Sequence, residues 1–136
     1  MEKIPTTVLV VAAALIDCSG LVLMQRRKAS AEHGGLWEFP GGKVEAHETP
    51  AESLCREIWE ELGVKLDENN LSPVTFAASP KLPYVILLYT CREWQGAPVC
   101  LDGEEMAWFQ PEAVLGLDMP PLDVPLAHAL LNQLKR

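Results

Sequence analysis

The stretch Gly42-Lys43-Val44-Glu45-Ala46-His47-Glu48-Thr49-Pro50-Ala51-Glu52-Ser53-Leu54-Cys55-Arg56-Glu57-Ile58-Trp59-Glu60-Glu61-Leu62-Gly63-Val64 organises the rest of the chain. Its second half reads as a helix from Pro50 to Leu62. Thr49 is a good N-cap, Pro50 suits the first helical position, and Glu52, three residues after Thr49, completes a capping box. Gly63 supplies the C-terminal stop. Ala51, Leu54, Cys55, Ile58 and Leu62 share one apolar stripe at helical spacing, which marks the buried side. Glu57, Glu60 and Glu61 cluster on another face, roughly 120° away.

Three glutamates at i, i+3 and i+4 need a reason, because like charges at that spacing destabilise a helix by about a few tenths of a kcal/mol per pair. One reading is a solvated face, partly neutralised by Arg56 four residues before Glu60. The other is a site for a hard divalent cation. Mg²⁺ and Mn²⁺ take oxygen ligands and suit clustered carboxylates beside a substrate phosphate.

Outward from the helix, strands are expected on both sides. Thr6 to Ile16 is a run of Val, Leu and Ala, and Asp17-Cys18-Ser19-Gly20 reads as a turn into a second strand, Leu21 to Arg27, the two forming a hairpin. Lys28 to Gly35 is a polar loop. Leu36 to Phe39 is a short extended piece that runs into a sharp backbone turn at Pro40-Gly41-Gly42. Beyond Gly63, strands are expected at Leu71 to Ala77, Tyr84 to Trp94 and Met106 to Phe109. One helical turn follows at Pro111 to Val114, and a second helix over Asp123 to Leu134 has Asp123 as its N-cap. This order gives an α+β fold: an α/β/α sandwich with a mixed central β-sheet flanked by helices, in a single domain over residues 1–136.

Composition excludes several classes of function. With 136 residues, 49% apolar and 22% charged, the chain is an ordinary globular one rather than a disordered one. Nineteen carboxylates against 11 Lys and Arg give a net charge of −8, which disfavours nucleic-acid polymers and anionic membranes as partners. A phosphate substrate would need that charge cancelled. The apolar run from Val8 to Ile16 falls well short of the roughly 20 residues that span a bilayer. It is followed by Asp17-Cys18 rather than a small-x-small cleavage site, so a cytoplasmic protein is expected. Cys18, Cys55, Cys91 and Cys100 are scattered and read as buried reduced thiols. Trp37, Trp59, Trp94 and Trp108 read as packing residues, and no Ser–His–Asp order or P-loop is present.

Gly42, five residues, Glu48, seven residues, then Arg56-Glu57-Ile58-Trp59-Glu60-Glu61-Leu62-Gly63-Val64 resembles the complete Nudix box. Gly35-Leu36-Trp37-Glu38-Phe39-Pro40-Gly41-Gly42-Lys43-Val44-Glu45 is further similar to the MutT-type branch. The likeness continues more loosely through Arg92-Glu93-Trp94-Gln95-Gly96, Trp108-Phe109 and Pro120-Pro121-Leu122-Asp123. It implies a hydrolase of nucleoside diphosphates linked to another moiety, with Mg²⁺ as cofactor and Mn²⁺ able to substitute. Glu57, Glu60 and Glu61 match the family's metal-ligand positions, and the Gly41 carbonyl is a further ligand candidate. Glu48 matches the first glutamate of the box, which supports the site and binds metal through water, and Arg56 the arginine that orients a glutamate of the helix. Glu104, four residues before Trp108, resembles a downstream acid that binds metal or acts as base; Glu105 is its rival.

The same resemblance implies a substrate-binding set. Arg27 matches an arginine near the phosphates and base, against the alternative of a strand-end solvated charge. Phe39 matches a base-wall residue, and Tyr84 is the candidate for the opposing wall. Asp123 stands where the 8-oxoguanine-specific members of the branch carry asparagine. An ionised aspartate only accepts hydrogen bonds, whereas asparagine both donates and accepts. Relatives with aspartate here include CTP pyrophosphohydrolases and broader oxidised-purine hydrolases.

The expected function is cleavage of a nucleoside triphosphate to monophosphate and pyrophosphate in nucleotide-pool sanitation, on 8-oxo-dGTP or another modified dNTP. The alternative is a preference for CTP or 5-methyl-dCTP. Less favoured are ADP-ribose, for want of an N-terminal dimerisation extension, and dinucleoside polyphosphates. A nucleotide-binding module without turnover is least favoured, since every box glutamate is retained. The partner expected is a small-molecule nucleotide, with the protein a monomer or weak homodimer.

Overall fold

The first strand, β1 (Val8–Leu15), sits at the centre of the computed structural model, which describes residues 6–135. Residues 1–5 and 136 of the expected domain lie outside the described part. The continuous apolar run of β1 is what burial on both faces requires. Val11, Ala13 and Leu15 point to one core, Ala12 and Ala14 to the other.

The remaining elements are β2 (Val22–Arg26), β3 (Trp37–Glu38), β4 (Gly41–Lys43), α1 (Pro50–Leu62), β5 (Leu71–Ala78), β6 (Tyr84–Cys91), β7 (Glu105–Phe109), α2 (Pro111–Val114) and α3 (Asp123–Leu134). A short 3₁₀ turn at Glu68–Asn70, absent from the sequence expectation, leads into β5. A four-stranded mixed sheet has the order β4-β1-β6-β5, with β1 parallel to β6 and the other neighbours antiparallel. A three-stranded antiparallel sheet has the order β3-β2-β7. Helix α1 packs Leu54, Ile58 and Leu62 onto the core that contains Val11, Leu15 and Leu23. Helix α3 packs Leu126, Ala127 and Leu130 onto the opposite one, with Met24, Phe39 and Leu88. A mixed sheet flanked by helices is therefore present, with a smaller sheet beside it. No helix among the described residues is long and apolar enough to cross a membrane.

Helix α1 has the expected bounds and caps. Thr49 Oγ1 accepts from the Glu52 N–H at 3.1 Å, and Glu52 Oε1 accepts from the Thr49 N–H at 2.9 Å. Gly63 takes the left-handed conformation at φ 68° and donates its N–H to the Trp59 carbonyl.

Several expectations are corrected. The hairpin of the first two strands is only a single bridge, Ile16 to Val22; beyond it β1 and β2 enter different sheets. Gly41 and Gly42 form no turn: they lie in β4, paired with Ala12 and Val11. Asp123 is not the N-cap of α3. Leu122 holds that position without a side-chain cap bond, and the Asp123 carboxylate is used elsewhere. The last residues of the run Tyr84 to Trp94 leave the sheet after Cys91. All four thiols are free but only Cys91 is buried, while Cys18 is exposed. Trp94 stacks on Trp108 and Trp37 meets Phe109 edge-on, yet Trp59 is 59% exposed.

Candidate active site

Arg56 gathers the carboxylates of α1 and of the loop before it. Its Nε and Nη2 donate to the two oxygens of Glu48 at 2.7 and 2.9 Å, a bidentate pair. Its Nη1 donates to Glu57 Oε1 at 2.9 Å and to Glu60 Oε2 at 3.2 Å. The guanidinium holds the Glu48 carboxyl down at about 2, well below the ordinary carboxylate value. That same hydrogen bond is the largest cause raising the pKa of Arg56 itself. The solvated-face reading and the orienting role thus share one geometry.

Glu61 neighbours Glu57 but makes no bond to Arg56. It is buried, and its Oε1 accepts from Gln25 Nε2 at 2.9 Å. Its Oε2 is buried with no protein partner. Burial, and then the neighbouring Glu57 carboxyl, pushes its pKa up. A buried acceptor with no donor, beside a second carboxylate, is the place where a cation removes both costs. The donor set is all carboxylate oxygen, which suits a hard divalent ion, and Gly41 precedes the Gly42 that lies against Glu57. Among the described residues no three such side chains already converge as a ready-made metal cluster. Glu48, Glu57 and Glu60 are instead turned to Arg56.

The two glycines of β4 join this face to a cleft. A Cβ on Gly42 would stand 2.4 Å from Glu57 Cδ, and one on Gly41 would stand 1.9 Å from the Val11 carbonyl oxygen. Only glycine lets the strand approach so closely. On its other side the strand borders a cleft of about 380 Å³, lined by Arg27, Phe39, Tyr84 and Asp123 together with Gly41 and Gly42. Side chains scattered from position 27 to position 123 thus meet in one cavity next to the glutamate face.

Within the cleft, Arg27 is not a solvated strand-end charge. Its Nη1 donates to both Glu38 oxygens at 2.5 and 3.0 Å, and its Nε to the Glu32 carbonyl at 2.6 Å. Burial raises the pKa of Glu38 against the lowering effect of Arg27. Phe39 is a core residue as well as a cleft wall, being 3% exposed. Its N–H donates to Asp123 Oδ2 at 3.1 Å. Burial pushes the Asp123 carboxyl up to about 7, with that hydrogen bond acting in the opposite direction.

Glu104 and Glu105 differ in surroundings. Glu105 pairs with Arg26 across β2 and β7, its Oε1 2.8 Å from Arg26 Nε. Glu104 precedes the strand, donates its N–H to the Arg26 carbonyl, and follows Gly103, which packs against the Gln25 side chain. Carried back one residue, strand alternation puts position 104 on the side of Met106 and Gln25, and 105 on the other. Two site residues, Gln25 and Glu38, were not foreseen. The signal available in sequence is a polar residue among apolar neighbours, and the structure pairs the two directly across β2 and β3.

A family model described as NUDIX domain matches residues 6–130. The CTP pyrophosphohydrolase of Escherichia coli is 31% identical over 126 residues, covering 89% of this chain and 90% of that protein. The 8-oxo-dGTP diphosphatase of Haemophilus influenzae is 34% identical over 115 residues, covering 84% of each. A structure from work on MutT of Aliivibrio salmonicida and Vibrio cholerae superposes with a TM-score of 0.83, covering 94% of this chain and 99% of that one. At 22% identity that likeness is one of fold.

Proposed function

The chain belongs to the NUDIX family, and from that premise we propose that this hydrolase of phosphoanhydride bonds is a Mg²⁺-dependent nucleoside triphosphate pyrophosphohydrolase that releases monophosphate and pyrophosphate. The observation that carries the reading is the junction at Gly41-Gly42, where a cleft of nucleoside size borders the glutamate face. The triphosphate lies along β4, with its base toward Phe39, Tyr84 and Asp123. Glu57, Glu60, Glu61 and the Gly41 carbonyl hold the divalent ions, and Glu104 adds a carboxylate from the far side. When bound, such ions neutralise phosphate oxygens and lower the pKa of a coordinated water. Arg56 and Glu48 set the orientation of Glu57 and Glu60. Arg27, anchored by Glu38, faces the substrate from the cleft wall. What the protein contributes is positioning and electrostatics.

Incubation with Mg²⁺ and dGTP tests the cleavage site. Pyrophosphate and dGMP in equal amounts are expected, and release of orthophosphate alone would overturn the assignment. Nucleotide-pool sanitation is the role that fits, in a cytoplasmic monomer or weak homodimer of residues 1–136 acting on free nucleotides.

A preference for CTP or 5-methyl-dCTP over 8-oxo-dGTP is the second reading, and Asp123 is the observation in its favour. With its carboxyl raised to about 7, Asp123 both donates and accepts near neutral pH. This has a consequence for stability. An acid raised from 3.8 to about 7 keeps its proton in the folded state while the unfolded chain has lost it, so stability falls as pH climbs through that window. Asp123→Asn keeps an acceptor for the Phe39 N–H and removes this dependence. The variant is expected to gain stability over wild type between pH 4 and pH 8, by roughly 4 kcal/mol at the alkaline end. Thermal melts across that range measure it. The same variant is expected to change the ranking of 8-oxo-dGTP against CTP in initial rates; an unchanged ranking would remove Asp123 from base recognition.

A further inference from the structure

Gln25 makes a hydrogen bond that none of the assigned roles requires. It is 4% exposed and closes the buried run Val22-Leu23-Met24-Gln25, where an apolar side chain would meet no penalty. A buried amide is costly unless it is hydrogen-bonded. Its one bond goes to Glu61 Oε1, at 2.9 Å. Gln25 Oε1 and Glu61 Oε2 both remain buried and unpartnered.

The surroundings are built around that bond. A Cβ at Gly103 would stand 2.6 Å from Gln25 Cγ, so the loop before β7 leaves room for the amide only because position 103 lacks a side chain. The same loop donates the Leu101 N–H to the Glu61 carbonyl at 2.9 Å. Glu61 is thus held at its backbone by residue 101 and at its side chain by residue 25. Its partner also differs in kind from that of its neighbours. Glu57 and Glu60 meet the cationic Arg56, whereas Glu61 meets a neutral donor. An amide N–H orients one carboxylate oxygen without cancelling the charge; a guanidinium does both.

We propose that Gln25 is a positioning residue that holds Glu61 Oε1 through a neutral donor, leaving Oε2 free for a divalent cation. The proposal rests on Glu61 being a metal ligand. Loss of a group that orients a ligand typically weakens metal affinity about 10- to 100-fold. Mn²⁺ affinity of the nucleotide-free protein, measured by calorimetry, is the readout, with kcat and KM alongside.

Wild type is expected to bind Mn²⁺. Gln25→Met, close in volume and lacking the donor, is expected to bind it about tenfold more weakly and to lose kcat by a similar factor, with KM for the nucleotide shifted by less than about twofold. In a Glu61→Gln background, Gln25→Met should have no further effect on Mn²⁺ affinity, because no anionic ligand is left at position 61 for Gln25 to orient. Unchanged Mn²⁺ affinity in Gln25→Met, with wild type binding normally, overturns the role of Gln25 alone. Full Mn²⁺ affinity in Glu61→Gln overturns the ligand reading beneath it. Should Gln25→Met not fold, Gly103→Ala displaces the same amide by contact and is expected to weaken Mn²⁺ binding in the same direction; wild-type affinity there overturns the proposal.

Discussion

Glu57→Gln is expected to lower kcat by about 100- to 1000-fold, the scale of losing one preorganised electrostatic group, while leaving the fold intact. Glu57 Oε1 sits 2.9 Å from Arg56 Nη1, and its carboxylate rests against the bare backbone of Gly42. Glutamine has the same shape and fills the same space, and its amide oxygen can still face Arg56. What disappears is one negative charge beside the buried Glu61. Since the Glu57 carboxyl is one of the groups that push the Glu61 pKa up, the variant without metal should melt no lower than wild type. Rates at saturating Mg²⁺ and melting curves without metal check both halves. A variant that turns over at a near wild-type rate would take Glu57 out of the machinery.

The two glycines of β4 should separate stability from activity. Gly41→Ala sets a methyl 1.9 Å from the Val11 carbonyl oxygen and 2.7 Å from Ala12 Cα, both backbone atoms of the central strand. Neither can move without breaking the β1–β4 pairing, so a loss of roughly 4 kcal/mol or more is expected, a large share of an ordinary domain's stability. Gly42→Ala collides instead with the end of the Glu57 side chain, 2.4 Å from Cδ. That carboxylate can swing away at a cost of about 1–3 kcal/mol, but it then leaves Arg56 and its place in the site. Activity should fall at least about 100-fold, as expected when a reacting group is misplaced by about 1 Å. Urea unfolding and kcat for the pair decide the matter. Equal destabilisation by both substitutions would contradict the close-approach geometry.

What the sequence made legible was local or periodic. Thr49, Glu52 and Gly63 act within a single helix, so its bounds could be read directly, and the glutamate face follows from the same period. The bonds that depend on distant partners left no such trace. Asp123 is an ordinary N-cap by local propensity, but a bond to Phe39, 84 positions away, claims its carboxylate. Gln25 meets Glu61 across 36 positions. Gly41 and Gly42 carry the signature of a turn, yet what they answer to is the approach of β1 and of Glu57, which sequence does not display. The Asp17 turn, closed by its own carboxylate on the Ser19 and Leu21 N–H groups, looks the same whether its strands stay paired or part into two sheets.

Arg56 also bears on how the chain and its ions depend on each other. In zinc modules the metal is needed to fold, because nothing else neutralises the ligands. Here the Arg56 guanidinium, a cation belonging to the chain itself, bridges Glu48, Glu57 and Glu60. One positive charge offsets only part of these three, so on the proposed reading divalent ions would complete the neutralisation as exchangeable partners arriving with the nucleotide. Chelation should silence the protein reversibly and leave it folded, ready to resume turnover as soon as ions return.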